Sequence, residues 1–336
     1  MKPFQVSIVG AGSWGTSLAI VLAGKGLSVA MWVRRPEYRV QMLEARENLR
    51  YLPGIPLPES IHLTSDLEEA VQARTIVMAV PTHAMRQVAQ QIKPFLPLNT
   101  HVVNVSKGIE NDTLMRMSEV LEESLAISPE RIATLSGPSH AEEVSRKIAT
   151  AVVVASVQLE TARAVRDLFR TEYFRVYSSD DIVGVELGGS IKNVIAIAAG
   201  IADGAGFGDN TKAALITRAL VEMTRMGVRL GARKETFAGL SGMGDLIVTC
   251  MSRHSRNRYV GEQIGRGKTL SEVLAEMTMV AEGVKTTRSV KQLITRYNVE
   301  MPISEQVYEV LFNEKSPHQA VNDLMTRDPK EESFGN

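Results

Sequence analysis

Three closely spaced glycines near the start of the chain constrain its fold more than any other feature. A short β-branched run at residues 6–9 leads directly into Gly10, Gly12 and Gly15, and an apolar helical pattern follows over residues 16–23. Glycines in this spacing permit a tight turn, close approach of a ligand to bare backbone, and close packing of a helix on a strand. A plain strand-to-helix turn would need only one of the three. The spacing therefore predicts a βα unit whose helix N-terminus binds the pyrophosphate of a dinucleotide.

The pattern of hydrophobic residues divides the chain into two halves. Strand patterns occur at residues 6–9, 28–33, 75–80, 101–105, 132–135 and 151–155. Helical patterns alternate with them at residues 14–23, 38–49, 84–91, 114–125 and 160–169. Beyond about residue 181 only helical patterns remain, at 183–201, 211–230, 255–265, 286–297 and 303–312. The order predicts an α/β chain: an N-terminal Rossmann-type doubly wound sheet over residues 1–180, followed by an all-helical domain over residues 181–336.

Composition narrows the class of protein. The 38 basic and 38 acidic residues cancel, so there is no global charge to attract nucleic acid or an anionic membrane. The single cysteine, Cys250, excludes an intramolecular disulfide, and no apolar run is long enough to predict a membrane span or a signal peptide. No histidines or cysteines have metal-ligand spacing. We expect a cytoplasmic enzyme that binds no metal, is not membrane-embedded and has no nucleic-acid partner.

The residues at the end of the second predicted strand bear on whether the chain prefers NAD(H) or NADP(H). NAD-specific sites place an acidic residue about 20 residues after the glycines, where it binds the ribose 2′-hydroxyl. This chain has Arg34 and Arg35 there, and two guanidinium groups can bind a 2′-phosphate. NADP(H) is therefore the preferred cofactor, with NAD(H) possible. The alternative is a solvated arginine pair that Glu37 partly neutralises.

Polar residues also follow three later strands. In an open α/β sheet the ligand crevice lies at the carboxyl ends of the strands, where Thr82 and Lys107 are expected. The adjoining Gly108 indicates crowded backbone rather than an ordinary surface lysine. After the strand at 132–135, Ser139 is placed to cap a helix that begins at Ala141.

A lysine within an apolar helix is the strongest candidate for acid–base chemistry. Lys192 has Gly188, Gly189, Ile195 and Ala196 as its helical neighbours, and none is a carboxylate. The two glycines leave space for another backbone or a ligand, and a desolvated ammonium has a lowered pKa that suits proton transfer at neutral pH. The alternative is a lysine that extends to the surface from a packed helix.

Two further stretches supply partners for such a lysine. Asp245 follows a glycine-rich turn, where it is either an orienting carboxylate or merely a helix N-cap. Residues 252–258 contain Arg253, Arg256 and Arg258, the best local phosphate-binding cluster in a chain without net charge, or else a solvated basic helix start.

Seven motifs together make the sequence resemble the bacterial NAD(P)-dependent glycerol-3-phosphate dehydrogenases. They lie at residues 10–15, 106–110, 135–139, 186–200, 206–210, 242–249 and 255–258, and they span nearly the whole chain. The resemblance implies reversible reduction of dihydroxyacetone phosphate to glycerol 3-phosphate for phospholipid synthesis. Two departures affect the edge of the site: His140 stands where phenylalanine is common, and Ser190 where alanine is.

The resemblance also implies roles for individual residues. Lys192 would be the catalytic proton donor and acceptor, Asp245 would orient its ammonium group, and Lys107 would contact both substrate and cofactor. The implied substrate contacts are Lys107, Gly137, Ser139, Lys192, Asp245, Ser255, Arg256 and Asn257. The implied cofactor contacts are Gly10, Gly12, Ser13, Trp14, Gly15, Arg34, Arg35, Tyr51, Lys107, Ala141, Arg256, Val280 and Glu282.

Two other functions fit parts of the pattern. A β-hydroxyacid dehydrogenase also joins a Rossmann domain to helices that bear a lysine and a nearby asparagine, although the cluster at 255–257 favours a phosphate over a carboxylate. A non-catalytic NADPH-sensing protein would explain the glycine turn but not Lys192. A homodimer formed through the helical half is the expected assembly.

Overall fold

The structure is a computed structural model that describes residues 4–277, 279–329 and 331–332. Its described residues form two compact units. The sheet unit comprises the described residues up to Ser106 together with Met117–Ile182, and the helical unit comprises Lys107–Arg116 and the described residues from Val183 onward. The short segment Lys107–Arg116, which the sequence pattern assigned to the first domain, thus groups with the helices.

The sheet unit contains one eight-stranded sheet and one small hairpin. The strands in chain order are β1 (Phe4–Val9), β2 (Val29–Trp32), β3 (Glu47–Asn48), β4 (Leu52–Pro56), β5 (Ile61–Thr64), β6 (Ala73–Met78), β7 (His101–Asn104), β8 (Ile132–Ser136), β9 (Thr150–Ala155) and β10 (Phe174–Ser179). The large sheet has the order β10-β9-β8-β7-β6-β1-β2-β5, and β3 pairs with β4. The chain extends from β1 first to one side and then to the other, so the topological switch point lies between β1 and β6.

Seven α-helices accompany these strands among the described residues of the sheet unit. They are α1 (Ser13–Ala23), α2 (Pro36–Ala45), α3 (Leu67–Ala70), α4 (Thr82–Ile92), α5 (Met117–Leu125), α6 (Ala141–Ser145) and α7 (Leu159–Phe169). Strand residues such as Val6, Ile8 and Val103 are fully buried because helices cover the sheet. The predicted Rossmann-type sheet is confirmed.

The sheet departs from the predicted pattern in three places. β9 runs antiparallel to β8, because the connection between them contains only the five-residue helix α6 and not a full crossover helix. α2 ends at Ala45, since Arg46 adopts a left-handed conformation and the chain enters the β3–β4 hairpin. β5 and β10, which the sequence analysis missed, pair in parallel with β2 and β9.

The helical unit is built from nine α-helices and one π-helical turn among its described residues, and the predicted all-helical second half is confirmed. The helices are α8 (Ile182–Gly204), α9 (Asp209–Arg229), α10 (Lys234–Phe237), α11 (Asp245–Met251), α12 (Arg256–Gly265), α13 (Leu270–Glu276), α14 (Glu282–Tyr297), α15 (Pro302–Phe312) and α16 (Pro317–Met325), with the π-helical turn at Leu240–Gly244. By length and composition α8 could cross a membrane, but 94% of its apolar window is buried inside the protein.

Glycines bring α8 and α12 into backbone contact. A Cβ atom added at Gly200 would lie 2.0 Å from the carbonyl oxygen of Arg258, and one added at Gly261 would lie 2.0 Å from that of Ile197. Gly204 and Gly265 make similarly close approaches to the facing helix. The packing of α12 on α8 therefore tolerates no side chain at these positions.

Candidate active site

Two lysines share one aspartate in the helical unit. Lys192 projects from the middle of α8, Asp245 is the first residue of α11, and Lys107 begins the segment Lys107–Arg116. The Lys192 Nζ lies 3.0 Å from Oδ1 of Asp245, and the Lys107 Nζ lies 2.6 Å from Oδ2. Lys192 is only 5% exposed and Asp245 only 1%, so the alternative of a lysine that reaches bulk solvent is wrong.

Thr249 completes this group from the next turn of α11. Its Oγ1 accepts a hydrogen bond from Lys192 Nζ at 2.6 Å. The same hydroxyl is within donating distance of the main-chain oxygen of Asp245, at 2.6 Å, and of its Oδ1, at 3.1 Å. Asp245 therefore does not act as a helix N-cap, because its carboxylate faces the two lysines and Thr249.

Glycines explain how Asp245 comes so close to α8. A Cβ atom at Gly188 would lie 2.7 Å from the carbonyl oxygen of Ser241, in the π-helical turn that leads into Asp245. Within that turn, a Cβ atom at Gly242 would lie 2.1 Å from the carbonyl oxygen of Phe237. Gly188 thus makes room for a second backbone, one of the two possibilities that the sequence left open.

Burial and charge act in opposite directions on these groups. Burial lowers the pKa of Lys192 to about 8, although the Asp245 carboxylate opposes that shift. Burial alone would raise the pKa of Asp245, but the charges of Lys107 and Lys192 outweigh it and hold the pKa below its ordinary value. Lys192 can therefore gain or lose a proton near neutral pH while Asp245 remains an anion.

Hydrogen bonds attach the segment Lys107–Arg116 to the helical unit. Asn193 Nδ2 donates to the main-chain oxygen of Lys107 at 3.3 Å, and Ser289 Oγ lies 3.2 Å from that of Ile109. At the end of the segment Arg116 forms an ion pair of 2.7 Å with Glu186 on α8. The segment is thus held to α8, which bears Lys192, and through Ser289 to α14.

A buried amide pair extends this network to the start of α14. Asn257 Nδ2 donates to Asn193 Oδ1 at 2.9 Å, and Asn257 Oδ1 accepts from the Gly283 backbone N–H at 2.9 Å. The neighbouring Ser255 caps α12 by accepting from the Arg258 N–H. Ser255 and Asn257 therefore have defined structural partners, while Arg256 between them is exposed in the first turn of α12.

The arginine cluster predicted at residues 252–258 is smaller than expected. Arg258 donates from Nε to Asp203 Oδ2 at 2.8 Å and pairs with Glu262 at 3.2 Å, so its guanidinium is engaged by carboxylates. Arg253 and Arg256 are exposed. The prediction that all three arginines bind a phosphate is wrong for Arg258, because carboxylates already pair with its guanidinium. The sequence could not show that α8 supplies one of these counter-ions.

The glycine turn of the sheet unit fits a dinucleotide. Gly10 has a φ of 119°, and a Cβ atom there would lie 2.6 Å from the Ala79 carbonyl oxygen. Gly12 faces open space among the described residues, and no side chain caps the α1 N-terminus, which begins at Ser13. The indole Nε1 of Trp14 is buried without a partner in the described part of the chain. Free N–H groups beside bare backbone are what a pyrophosphate requires.

The segment after β2 and the loop of the β3–β4 hairpin carry basic and aromatic residues. Arg34 and Arg35 are exposed at the end of β2, and no carboxylate among the described residues forms an ion pair with either. Tyr51, which is half-buried, packs edge-on against Tyr38 with ring centroids 5.9 Å apart. Glu37 therefore forms no ion pair with either arginine, although the sequence suggested that it could partly neutralise them.

The end of β8 differs from the prediction in one detail. Gly137 has a φ of 134°, and a Cβ atom there would lie 3.0 Å from Val152 Cα. Ser139 donates to the Gly137 carbonyl at 2.9 Å and does not cap α6, whose N-cap is His140. Ala141 begins α6 and is buried, and Thr82 is buried at the start of α4. α6 begins at Ala141 as predicted, so its N-cap position is His140 and Ser139 lies one residue outside it.

Val280 and Glu282, the last two predicted cofactor residues, lie at the start of α14. Val280 is exposed, and Glu282 is the first residue of that helix. Among the described residues, no group of three or more histidine, cysteine, aspartate or glutamate side chains could hold a metal ion.

Sequence reasoning missed three residues of these networks. Thr249 stands four residues after Asp245, so helical periodicity was the available signal for it. Asn193 directly follows Lys192, and this adjacency was the only signal for it. Asn48 is fully buried and links the glycine turn to the β3–β4 hairpin. Its sequence context contained no comparable signal.

Comparison with known proteins decides the family. The sequence model described as NAD-dependent glycerol-3-phosphate dehydrogenase N-terminus matches residues 5–162, and the corresponding C-terminus model matches residues 181–322. The chain belongs to the NAD-dependent glycerol-3-phosphate dehydrogenase family. The family and the oxidoreductase function predicted from the sequence are thereby confirmed, with NAD(P) as the cofactor class.

Individual proteins that are similar to this chain support the same family assignment. A glycerol-3-phosphate dehydrogenase [NAD(P)+] from Chlorobium phaeobacteroides strain BS1 is 56% identical over 330 residues, which cover 98% of this chain and 99% of the relative. The enzyme of that name from Pelotomaculum thermopropionicum is 55% identical, with coverage of 96% and 93%. The crystal structure of glycerol-3-phosphate dehydrogenase from Coxiella burnetii has 38% identity and a TM-score of 0.92, covering 97% of this chain and 99% of that one.

Proposed function

We propose that this dehydrogenase reduces dihydroxyacetone phosphate to glycerol 3-phosphate with Lys192 as the acid that protonates the carbonyl oxygen. The observation that supports this most is the buried Lys192–Asp245–Thr249 group, in which the pKa of a desolvated ammonium is lowered to about 8. A general acid works best when its pKa lies near the working pH. In the reverse direction the neutral amine of Lys192 accepts the proton of the alcohol. When bound, NAD(P)H would supply the hydride for the reduction, and NAD(P)+ would accept it in the reverse direction.

Asp245 and Thr249 orient the reactive nitrogen in this mechanism. A lysine ammonium has three N–H bonds, and in the structure Asp245 Oδ1 and Thr249 Oγ1 accept two of them. One N–H remains to donate to the substrate oxygen. The second ammonium, Lys107, lies on the other carboxylate oxygen, where it adds positive potential as negative charge develops on the carbonyl oxygen.

The phosphate of the substrate is proposed to bind at the start of α12. Arg256 is exposed in the first turn of that helix, where a guanidinium and the helix N-terminus both favour an anion. Ser255 and Asn257 hold this turn through their own buried hydrogen bonds. Binding energy from the phosphate then aligns the reacting carbonyl carbon. The predicted substrate contacts of Gly137 and Ser139 stay predictions, as do the cofactor contacts of Ala141, Val280 and Glu282.

The preference for NADP(H) over NAD(H) is part of the proposal. Arg34 and Arg35 lie at the end of β2, where an acidic residue would select NAD, and no carboxylate of the described chain pairs with them. A cytoplasmic location, a homodimeric assembly and a role in phospholipid synthesis are proposed on the resemblance of the sequence to its family.

A steady-state assay tests the proposed reaction. Dihydroxyacetone phosphate, unphosphorylated dihydroxyacetone and a small β-keto acid are each offered with NADPH and with NADH. We expect turnover with the phosphorylated ketone at a KM far below that of its unphosphorylated analogue. Preference for the keto acid would favour the β-hydroxyacid dehydrogenase reading instead, and no turnover on any ketone would favour an NADPH sensor.

The role of Lys192 is tested separately by Lys192→Met. Loss of a general acid costs about 10²–10⁴ in rate, so we expect kcat to fall at least 100-fold. NADPH binding, measured by fluorescence titration, should stay within a few-fold of wild type. A variant that retains more than about a tenth of the wild-type kcat contradicts the assignment.

A further inference from the structure

We propose that Arg50, on the loop of the β3–β4 hairpin, is a third arginine that binds the 2′-phosphate of NADP(H) and sets the cofactor specificity together with Arg34 and Arg35. This inference rests on the proposed NADP(H) preference and extends it to a residue outside the predicted cofactor contacts. Four observations within the sheet unit support it.

The first observation is that a buried amide joins the hairpin to the glycine turn. Asn48 is completely buried, and its Nδ2 donates to the Ala11 carbonyl oxygen at 3.0 Å and to Thr16 Oγ1 at 2.7 Å. Its Oδ1 accepts from Tyr38 Oη at 2.5 Å and from the Tyr51 N–H at 3.0 Å. All hydrogen-bonding positions of this amide are used, so the hairpin has a fixed position beside the dinucleotide turn.

The second observation is that a single residue, Tyr38, connects Arg50 to the predicted arginine pair. The Tyr38 N–H donates to the Arg35 carbonyl at 3.1 Å in the first turn of α2. The hydroxyl at the other end of the same tyrosine accepts from the Arg50 N–H at 3.1 Å. One residue, Tyr38, therefore links the Arg35 backbone, through its main chain, to the Arg50 backbone, through its hydroxyl.

The third observation concerns the guanidinium of Arg50. Its Cζ lies 5.4 Å from the centroid of the Tyr51 ring, within the range of a cation–π contact. Tyr51 is itself a predicted cofactor residue, so Arg50 lies against an aromatic surface suited to an adenine ring. A guanidinium stacked in this way keeps its N–H edge free for a phosphate oxygen.

The fourth observation is that Arg34, Arg35 and Arg50 are exposed and unneutralised. None of the three forms an ion pair with a described carboxylate, whereas the nearby Glu47 accepts from the Gly54 N–H at 2.6 Å. Other arginines of this region are engaged by main-chain oxygens: Arg39 by Leu63 and Arg46 by Pro58. Three uncompensated charges suit a dianionic phosphate, which accepts several charge-assisted hydrogen bonds.

The test compares two ligands that differ by the phosphate in question, adenosine 2′,5′-bisphosphate and adenosine 5′-monophosphate. Calorimetric titration of the full chain gives a Kd for each without any turnover. For Arg50→Gln we expect the Kd of the bisphosphate to rise about tenfold, the effect of losing one charge-assisted hydrogen bond, while that of the monophosphate changes less than twofold. Arg50→Lys should retain part of the difference.

The matched control is Arg74→Gln, because Arg74 is exposed at the amino end of β6, in the same unit but away from the carboxyl ends of the strands. It should bind both ligands as wild type does. If Arg50→Gln behaves like this control while Arg35→Gln weakens the binding of the bisphosphate alone, the role of Arg50 is refuted and the NADP(H) preference stands. If the wild-type chain binds both ligands equally, the preference fails and the role of Arg50 with it.

Discussion

The Nζ of Lys192 lies 3.0 Å from Oδ1 of Asp245, although the two residues come from different helices and both are almost fully buried. Burial favours the neutral amine of Lys192, and the paired carboxylate of Asp245 favours its ammonium form. Because these two effects oppose each other, Lys192 can both hold and release a proton.

The pH dependence of the reaction should follow the protonation of Lys192. Its pKa is lowered to about 8, so the ammonium predominates below pH 8 and the amine above it. Ketone reduction needs the proton, and its kcat should fall about tenfold per pH unit above that value. Alcohol oxidation needs the amine and should lose rate below it. Measuring kcat in both directions from pH 6 to 10 checks this, and parallel profiles for the two directions would contradict it.

Asp245→Asn should shift that profile as well as reduce the rate. Burial lowers the pKa of Lys192, the Asp245 charge raises it, and the neighbouring Lys107 lowers it, so removing the carboxylate removes the main influence that opposes the lowering. We expect the midpoint for reduction to move to lower pH and kcat to fall at least about 100-fold. Asp209→Asn, in the exposed first turn of α9, is the control and should leave the midpoint unchanged. A slower variant with an unshifted midpoint would show that the charge of Asp245 does not raise the pKa of Lys192.

Thr249→Val should weaken catalysis by misorienting the ammonium. Valine keeps the size of threonine but cannot accept the 2.6 Å hydrogen bond from Lys192. We expect kcat to fall about tenfold while the KM for the phosphorylated ketone stays within threefold. Thr249→Ser retains the hydroxyl and should recover most of the rate. Equal losses in the two variants would show that packing, not the hydroxyl, matters.

Gly200→Ala should destabilise the helical unit. The new Cβ atom would lie 2.0 Å from the Arg258 carbonyl oxygen, so α12 must move away from α8. Overpacking of this kind costs about 1–3 kcal/mol, measurable as a lower urea midpoint. Gly208→Ala is the control, because a Cβ atom there meets nothing within 4 Å among the described residues. A midpoint equal to that of the control would mean that the two helices separate without cost.

Buried Glu222 should make folding stability depend on pH. It accepts from the N–H groups of Ile303 and Ser304 at the start of α15, and burial raises its pKa to about 7. The folded chain thus holds a proton between pH 4.5 and 7 that the unfolded chain releases, so the Glu222 contribution to stability is full below pH 4.5 and is lost as pH rises through 7. In urea titrations between pH 5 and 8, the free energy of unfolding of the wild type should fall by about 2 kcal/mol relative to that of Glu222→Gln. A constant difference between the two proteins would refute the assignment.

Local patterns predicted the glycine turn, most strands and the long helices, because hydrophobic periodicity reports which face of an element is buried. They also singled out Lys192 and Asp245, since a charge in an apolar helix and an acid after a glycine turn are visible in the sequence alone. The β3–β4 hairpin was missed because a single left-handed residue, Arg46, ends α2 earlier than its helical pattern does.

Partners that come from distant segments could not be predicted. Nothing near Arg258 in the sequence indicates that Asp203 neutralises it, and nothing near residue 107 indicates that Asn193 binds its carbonyl oxygen. Such contacts depend on how helices pack, which periodicity does not specify. Asn48 illustrates the same limit, because its four hydrogen bonds join the glycine turn, α1 and α2 to its own hairpin.

The three charged groups of this site, Lys107, Lys192 and Asp245, are each supplied by a separate stretch of chain. No local fragment can reproduce the arrangement, so it exists only after closure of two long loops, whose entropic cost other contacts of the fold must offset. Recovery of turnover during refolding should therefore lag behind recovery of helical circular dichroism, with the delay reporting when residue 107 reaches its carboxylate.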